Sequence, residues 1–404
     1  MWGWIKAFAL VGFISAAVFK ALIVSGPDLT VVFAILVLAL SFIELIRYRL
    51  VIQRQVISVV GFFGLLAVPV LWTDWTPYAT EKVGRFFTLT LLATIAPLFL
   101  IRNKRDLSNV LTMLTGVAVI GSVLALVLAP EAVKEIALSP LEGGHIKFSR
   151  LAGMGAIVVL GRQLISGERR RWPLLLLVPL LYAPISAGSR GPVIAVLMTV
   201  LMLSLLKPQT ERVRNSLQRL LVVGSLIGFS IYFFSLAPEG ARERYAALTA
   251  PQSAGAARAT AYSEAASLSA ANVLGSGWGS FEYEAASPLI YPHNIVLEML
   301  VEGGWVIALV SVLGFFVILK RTRKRSSLVL VGLLIFGALN MMISGDLNSN
   351  RPFFMLIGLA LCVPRPNTSP QTHIPYARLL ERESLANSDA SSLAGSEITT
   401  LRRP

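Results

Sequence analysis

Residues 291–304 read YPHNIVLEMLVEGG and set His293 between Pro292 and Asn294 at the head of an apolar segment. Glu298 and Glu302 sit on the turns that follow. Pro and Asn at that spacing predict a helix start, with the imidazole in its cap or first turn. There the positive end of the helix dipole disfavours imidazolium, so His293 is expected to be neutral. A neutral imidazole can take a proton from a hydroxyl, which is the work of a general base. Glu298 and Glu302 are four apart, share a helix face and could orient partners or pair with an arginine from another segment. A lone interfacial histidine is more simply satisfied by a carbonyl; its neighbours here favour chemistry. His145 and His373 have no comparable surroundings.

A second candidate is SAGSRGP, residues 186–192. Arg190 lies in a link of a few residues between two apolar stretches, where a cation is costly without a partner. The turn-forming Ser189 and Gly191 leave backbone N–H groups exposed, and Pro192 suits a first helical turn. Amides, a helix N-terminus and a guanidinium fork describe an anion site, best matched to phosphate. An arginine reaching toward lipid headgroups is the competing reading. Further cations occur in a long polar stretch: Arg242 and Arg244 near its start, and Arg258 in the Ala/Ser-rich AARATAYSEAASLSAANV, which suits a helix. Loop arginines are ordinarily solvated. GSGWGSF, residues 275–281, spells G-x-G-x-G, but with no strand before it this is a close-packed turn rather than a dinucleotide site. Trp278 and Tyr291 could stack on sugar rings or anchor the loop at the membrane interface. Glu282 and Glu284 in FEYE are the paired carboxylates nearest to a metal motif outside the membrane.

What must position these residues is a membrane bundle. Of 404 residues 55% are hydrophobic and 14% charged, and the mean hydropathy is +0.70, outside the range of water-soluble domains. Recurrent apolar runs are long enough to cross about 30 Å of hydrocarbon as helices, and too uniform for barrel strands. The expected fold is an all-α integral membrane protein with about 12 spans, near 7–25, 30–46, 55–72, 85–101, 108–129, 151–166, 172–188, 191–206, 219–236, 294–319, 326–344 and 352–363. One set of short links holds nineteen Lys and Arg residues; the opposite set holds ten, among them Lys82, Arg150 and Arg190. The positive-inside rule makes the first set cytoplasmic, with both termini inside. Residues 237–292 then form one large external, periplasmic loop. Residues 1–363 make the membrane domain, and 364–404 a disordered cytoplasmic tail. The formal net charge of +14 is mostly topology, so nucleic acid is not an expected partner. Cys362 is the only cysteine, which excludes an intramolecular disulfide. Lys20 interrupts the first apolar run, marking an uncleaved anchor. No internal repeat suggests a transporter with inverted halves.

SAGSRGP, an arginine-bearing external helix, a glycine-rich G-x-G-x-G-x-F segment and HNIVLEMLVEGG, in that order over about 140–350, resemble the signature of the O-antigen ligase and O-antigen polymerase superfamily. The resemblance implies two external arginines and one histidine in the site, which here become Arg190, Arg258 and His293. Arg258 matches less crisply, so Arg242 or Arg244 could take its part. Ser189, Gly191, Asn294, Glu298, Trp278 and Tyr291 complete the expected substrate contacts. It implies an undecaprenyl diphosphate-linked glycan donor, held in a bacterial inner membrane with its lipids. The acceptor is a glycan or lipid A-core hydroxyl on the periplasmic face. Transfer would be inverting and would need no metal or other cofactor. A ligase is the preferred reading, a polymerase with a lipid-linked repeat unit as acceptor the first alternative, and a non-catalytic lipid-linked glycan transporter the second. One site requires the three residues to converge within about 10–12 Å, the reach of phosphate contacts plus a base.

Overall fold

The computed structural model describes residues 1–19, 28–47, 54–127, 144–165, 172–206, 224, 227–237, 242, 254–324, 327–348 and 350–362. The tail 364–404, residues 219–223, 225 and 226 of the expected span 219–236, and the segment 243–253 with Arg244 lie outside them; residues 227–235 of that span are helical. All regular structure among the described residues is helical. In chain order the helices are α1 (Trp2–Phe19), α2 (Leu29–Arg47), α3 (Arg54–Trp72), α4 (Pro77–Leu100), α5 (Lys104–Val127), α6 (Gly144–Ile165), α7 (Trp172–Ser186), α8 (Arg190–Leu206), α9 (Ala254–Ala271), α10 (Phe281–Glu284), α11 (Ile295–Lys324), α12 (Leu328–Ile343) and α13 (Arg351–Cys362).

Six of these, α1 to α5 and α11, are long and apolar enough to cross a membrane. α7, α8, α12 and α13 are shorter apolar helices. Among the described residues, length and composition therefore do not confirm the expected count of about twelve. The fold is all-helical and compatible with a membrane protein. Ile35, Leu38, Phe42 and Ile46 on α2, and Leu309, Leu313 and Phe316 on α11, present apolar side chains outward, a pattern that suits hydrocarbon and not water.

At the centre runs α6, packed against α5, α7, α8 and α12. Its apolar residues from Leu151 to Leu160 are buried. The small residues of its LAGMGA stretch permit that closeness. A Cβ on Gly153 would meet Phe336 of α12, and one on Gly155 would meet Ala118 of α5.

One helix differs from its expected span where it matters. α4 begins at Pro77, eight residues before the expected 85, because Thr76 caps it by accepting from the Ala79 N–H at 3.1 Å and proline suits the first turn. Lys82, expected in an external loop, is consequently inside a helix and fully buried. Both α4 and α11 widen into one π-type turn, at Phe86–Thr90 and Met299–Gly303, a feature frequent near functional sites.

Candidate active site

Segments that carry several of the candidate residues pack near the C-terminal end of α12. Its last carbonyls have no helical partner, and Arg150 of α6 supplies one. The guanidinium donates to the carbonyls of Ser344 and, at 3.4 Å, Asn340, and at 2.8 Å to the side-chain oxygen of Asn350. Tyr262 of α9 donates to the Met342 carbonyl at 3.5 Å. From α8, Gly191 packs so closely that a Cβ there would lie 3.3 Å from Ile343. Past the helix, the Leu347 N–H donates to the Glu298 carboxylate at 3.1 Å. Segments bearing Arg190, Arg258 and Glu298 are thus all fastened within a few residues of Ser344.

His293 precedes this arrangement in the left-handed backbone region, with φ 56°, the only non-glycine with positive φ among the described residues. Such strain persists only where surroundings over-determine it, and it gathers at functional sites. Asn294 is the actual cap of α11, accepting from the Val296 and Leu297 N–H groups at 3.0 and 3.2 Å, so His293 stands one residue ahead of the cap. Its ring lies 4.3 Å from that of Tyr291, and its buried Nδ1 has no hydrogen-bond partner among the described residues. Burial pushes the imidazole pKa down from 6.5 to about 4, and the nearby Arg258 charge pushes the same way. Desolvation and Arg258 thus both favour the neutral ring expected from the sequence. Burial likewise raises Tyr291 to about 12, with Asp346 adding to it and Arg150 and Arg258 opposing it. Arg258, half-buried on α9, is brought within electrostatic range of both His293 and Tyr291.

Glu298 and Glu302 do find a cation, but it is Lys82 of α4 and not an arginine. Its ammonium lies 2.6 Å from both Glu302 oxygens and also pairs with Glu298, with all three side chains buried. Glu298 is therefore occupied within the protein. The G-x-G-x-G segment locks against the same turn. The Ser276 and Gly277 N–H groups donate to the Val301 and Glu302 carbonyls at 2.8 and 3.0 Å. Gly275 and Gly304, with φ 81° each, approach so closely that a Cβ on Gly275 would fall 2.4 Å from the Gly304 nitrogen. Trp278 is buried, donates to the Leu66 carbonyl at 3.1 Å and packs 4.8 Å from Phe86; its ring is spent on the core.

Arg190 opens α8 and is half-buried, beside a buried Ser189. The preceding turn is tighter than expected. The Ala187, Gly188 and Ser189 N–H groups donate to the α7 carbonyls of Ala183, Ile185 and Pro184, so amides expected to be open are already bonded. Arg242 is exposed and Arg244 falls outside the described residues. Among the described residues no group of three His, Cys, Asp or Glu side chains could hold a metal; Glu282 instead accepts from Thr76 Oγ1 at 3.1 Å. Sequence reasoning missed Lys82, Arg150, Asp346 and Asn350. Lys82 and Arg150 had counted only as charges of external loops, although each lies within a few residues of an apolar run. Comparison with protein-family models, with curated proteins and with solved structures gave no match for this chain.

Proposed function

We propose that the chain is an O-antigen ligase-like glycosyltransferase, moving a glycan from undecaprenyl diphosphate to an acceptor hydroxyl on the periplasmic face of the bacterial inner membrane. The observation that carries this reading is His293: neutral, half-buried, backbone-strained, with an unpartnered Nδ1 and the Arg258 charge beside it. A base held unprotonated next to a guanidinium suits proton removal close to an anion. The hydroxyl oxygen bonds to the anomeric carbon as its proton passes to His293. The anomeric C–O bond breaks, and the lipid diphosphate departs with the electron pair. Arg190 and Arg258 hold that diphosphate and stabilise its growing charge. One displacement inverts the anomeric centre.

Surface-glycan analysis of a deletion strain, complemented with wild type or with His293→Ala, tests the reading. Free lipid-linked polymer that only the wild type clears supports a ligase. Accumulated single repeats convert the reading to a polymerase of the same chemistry. A glycan pattern unchanged by deletion, or full complementation by His293→Ala, removes it.

A further inference from the structure

Arg150 is buried, yet no carboxylate pairs with it within 4 Å among the described residues. Its partners are neutral oxygens: Asn350 Oδ1 and the carbonyls of Ser344 and Asn340. Its Nε–H is buried without any acceptor among the described residues. Carbonyl bonds satisfy donors but do not cancel a buried positive charge, an expensive state for a guanidinium. Arg258 adds a second positive charge within electrostatic range, and among the described residues Asp346 is the carboxylate that acts on Arg150. Glu298 and Glu302 are committed to Lys82. Among the described residues two guanidinium groups thus face one carboxylate around the carbonyl end of α12, and the Arg150 Nε–H has no acceptor.

We propose that Arg150 is a further anion-binding residue of this site, supplying a buried cation to the phosphate groups of a lipid-linked diphosphate. The proposal rests on the glycosyltransferase reading and adds to it a residue that neither the external loops nor the helix N-terminus provides. A polyprenyl diphosphate carries up to three negative charges and a polyprenyl monophosphate up to two, so a surplus of guanidinium over carboxylate favours the former. Holding Arg150 by three neutral acceptors keeps its orientation fixed without cancelling its charge, the condition for a preorganised anion site.

The test uses the full chain purified in detergent and compares its affinities for a polyprenyl diphosphate and a polyprenyl monophosphate by competition. Wild type is expected to favour the diphosphate. Arg150→Gln should lose roughly 10- to 100-fold in diphosphate affinity, as expected for a charged hydrogen bond, and much less for the monophosphate. Arg150→Gln/Asp346→Asn removes one charge of each sign, which secures folding if the single variant is unstable, and should recover part of the preference. The ratio of the two affinities does not depend on how much protein is folded. If Arg150 only caps α12, the variants lower thermal stability and leave that ratio unchanged, which overturns the proposal. Wild type that binds neither lipid overturns the glycosyltransferase reading itself.

Discussion

At His293 two properties that are ordinarily costly coincide, a left-handed backbone and a desolvated ring. A non-glycine residue in that region is disfavoured by about 1–2 kcal/mol, and only glycine escapes the penalty. His293→Gly should therefore melt higher than His293→Ala, while both lose roughly 10²–10⁴ in transfer rate with the base. Equal melting temperatures would show that the backbone carries no strain there. The depressed pKa gives a signed pH dependence. The folded protein keeps His293 neutral down to about 4, whereas the unfolded chain takes up its proton near 6.5. The stability tied to the neutral ring is complete above about 6.5 and is lost as pH falls toward 4. On the same grounds kcat/KM, which reports the free enzyme, should stay level from neutral pH to about 5 and fall below that. A rate falling instead through 6.5 would mean an ordinary, solvated histidine. The residue's type and neighbours were legible in the sequence. The cause of its neutrality was not, because the ring's burial, and the approach of Arg258 from 35 positions earlier, arise only through folding.

Between elements, the decisive contacts are a buried ion cluster and a glycine lock, and both join segments about 30 or more residues apart. Lys82 fastens α4 to the first turns of α11, and Glu298 passes the connection on to Leu347. Lys82→Met leaves two carboxylates without their cation, a loss of about 3–5 kcal/mol. Adding Glu302→Gln should return part of it, and thermal melts of the two variants in detergent read the difference. If the double variant is no better than the single one, Lys82 stabilises by packing rather than by charge. Gly275→Ala sets a Cβ against the Gly304 backbone at a positive φ. The altered chain should fail to accumulate or melt well below wild type, and unchanged stability would refute the lock. The sequence showed that three alternating glycines form a tight turn, because only glycine tolerates such backbone. It did not show what approaches them, since Gly304 reads locally as a helix residue. The earlier start of α4 was missed for a related reason: Thr76-Pro77 is a sound capping pair, but the charges after it resemble a loop until Glu298 and Glu302 arrive to neutralise Lys82.

For the molecule as a whole, apolar periodicity placed most helices within a few residues, whereas counting spans from it was less secure. A helix of 16 residues such as α12 is about 24 Å long, short of the roughly 30 Å of a hydrocarbon core. Sequence hydropathy cannot separate such a helix from a full crossing, because packing against α6 rewards the same apolar residues as lipid does. Sidedness is a separate question, carried by the excess of Lys and Arg in the short links, and it decides whether His293 faces the compartment where the proposed donor waits. Cys362 is the only cysteine, so a Cys362→Ser background lets single cysteines report position. Ala286→Cys, exposed seven residues before His293, should react with a membrane-impermeant maleimide on spheroplasts. Ser388→Cys in the tail should react only after permeabilisation. The positive-inside rule requires this pair of results, and so does the donor chemistry, since the diphosphate must reach Arg258 from the periplasmic leaflet. The reverse labelling pattern would place His293 in the cytoplasm, where the proposed lipid-linked transfer to a surface glycan has no acceptor.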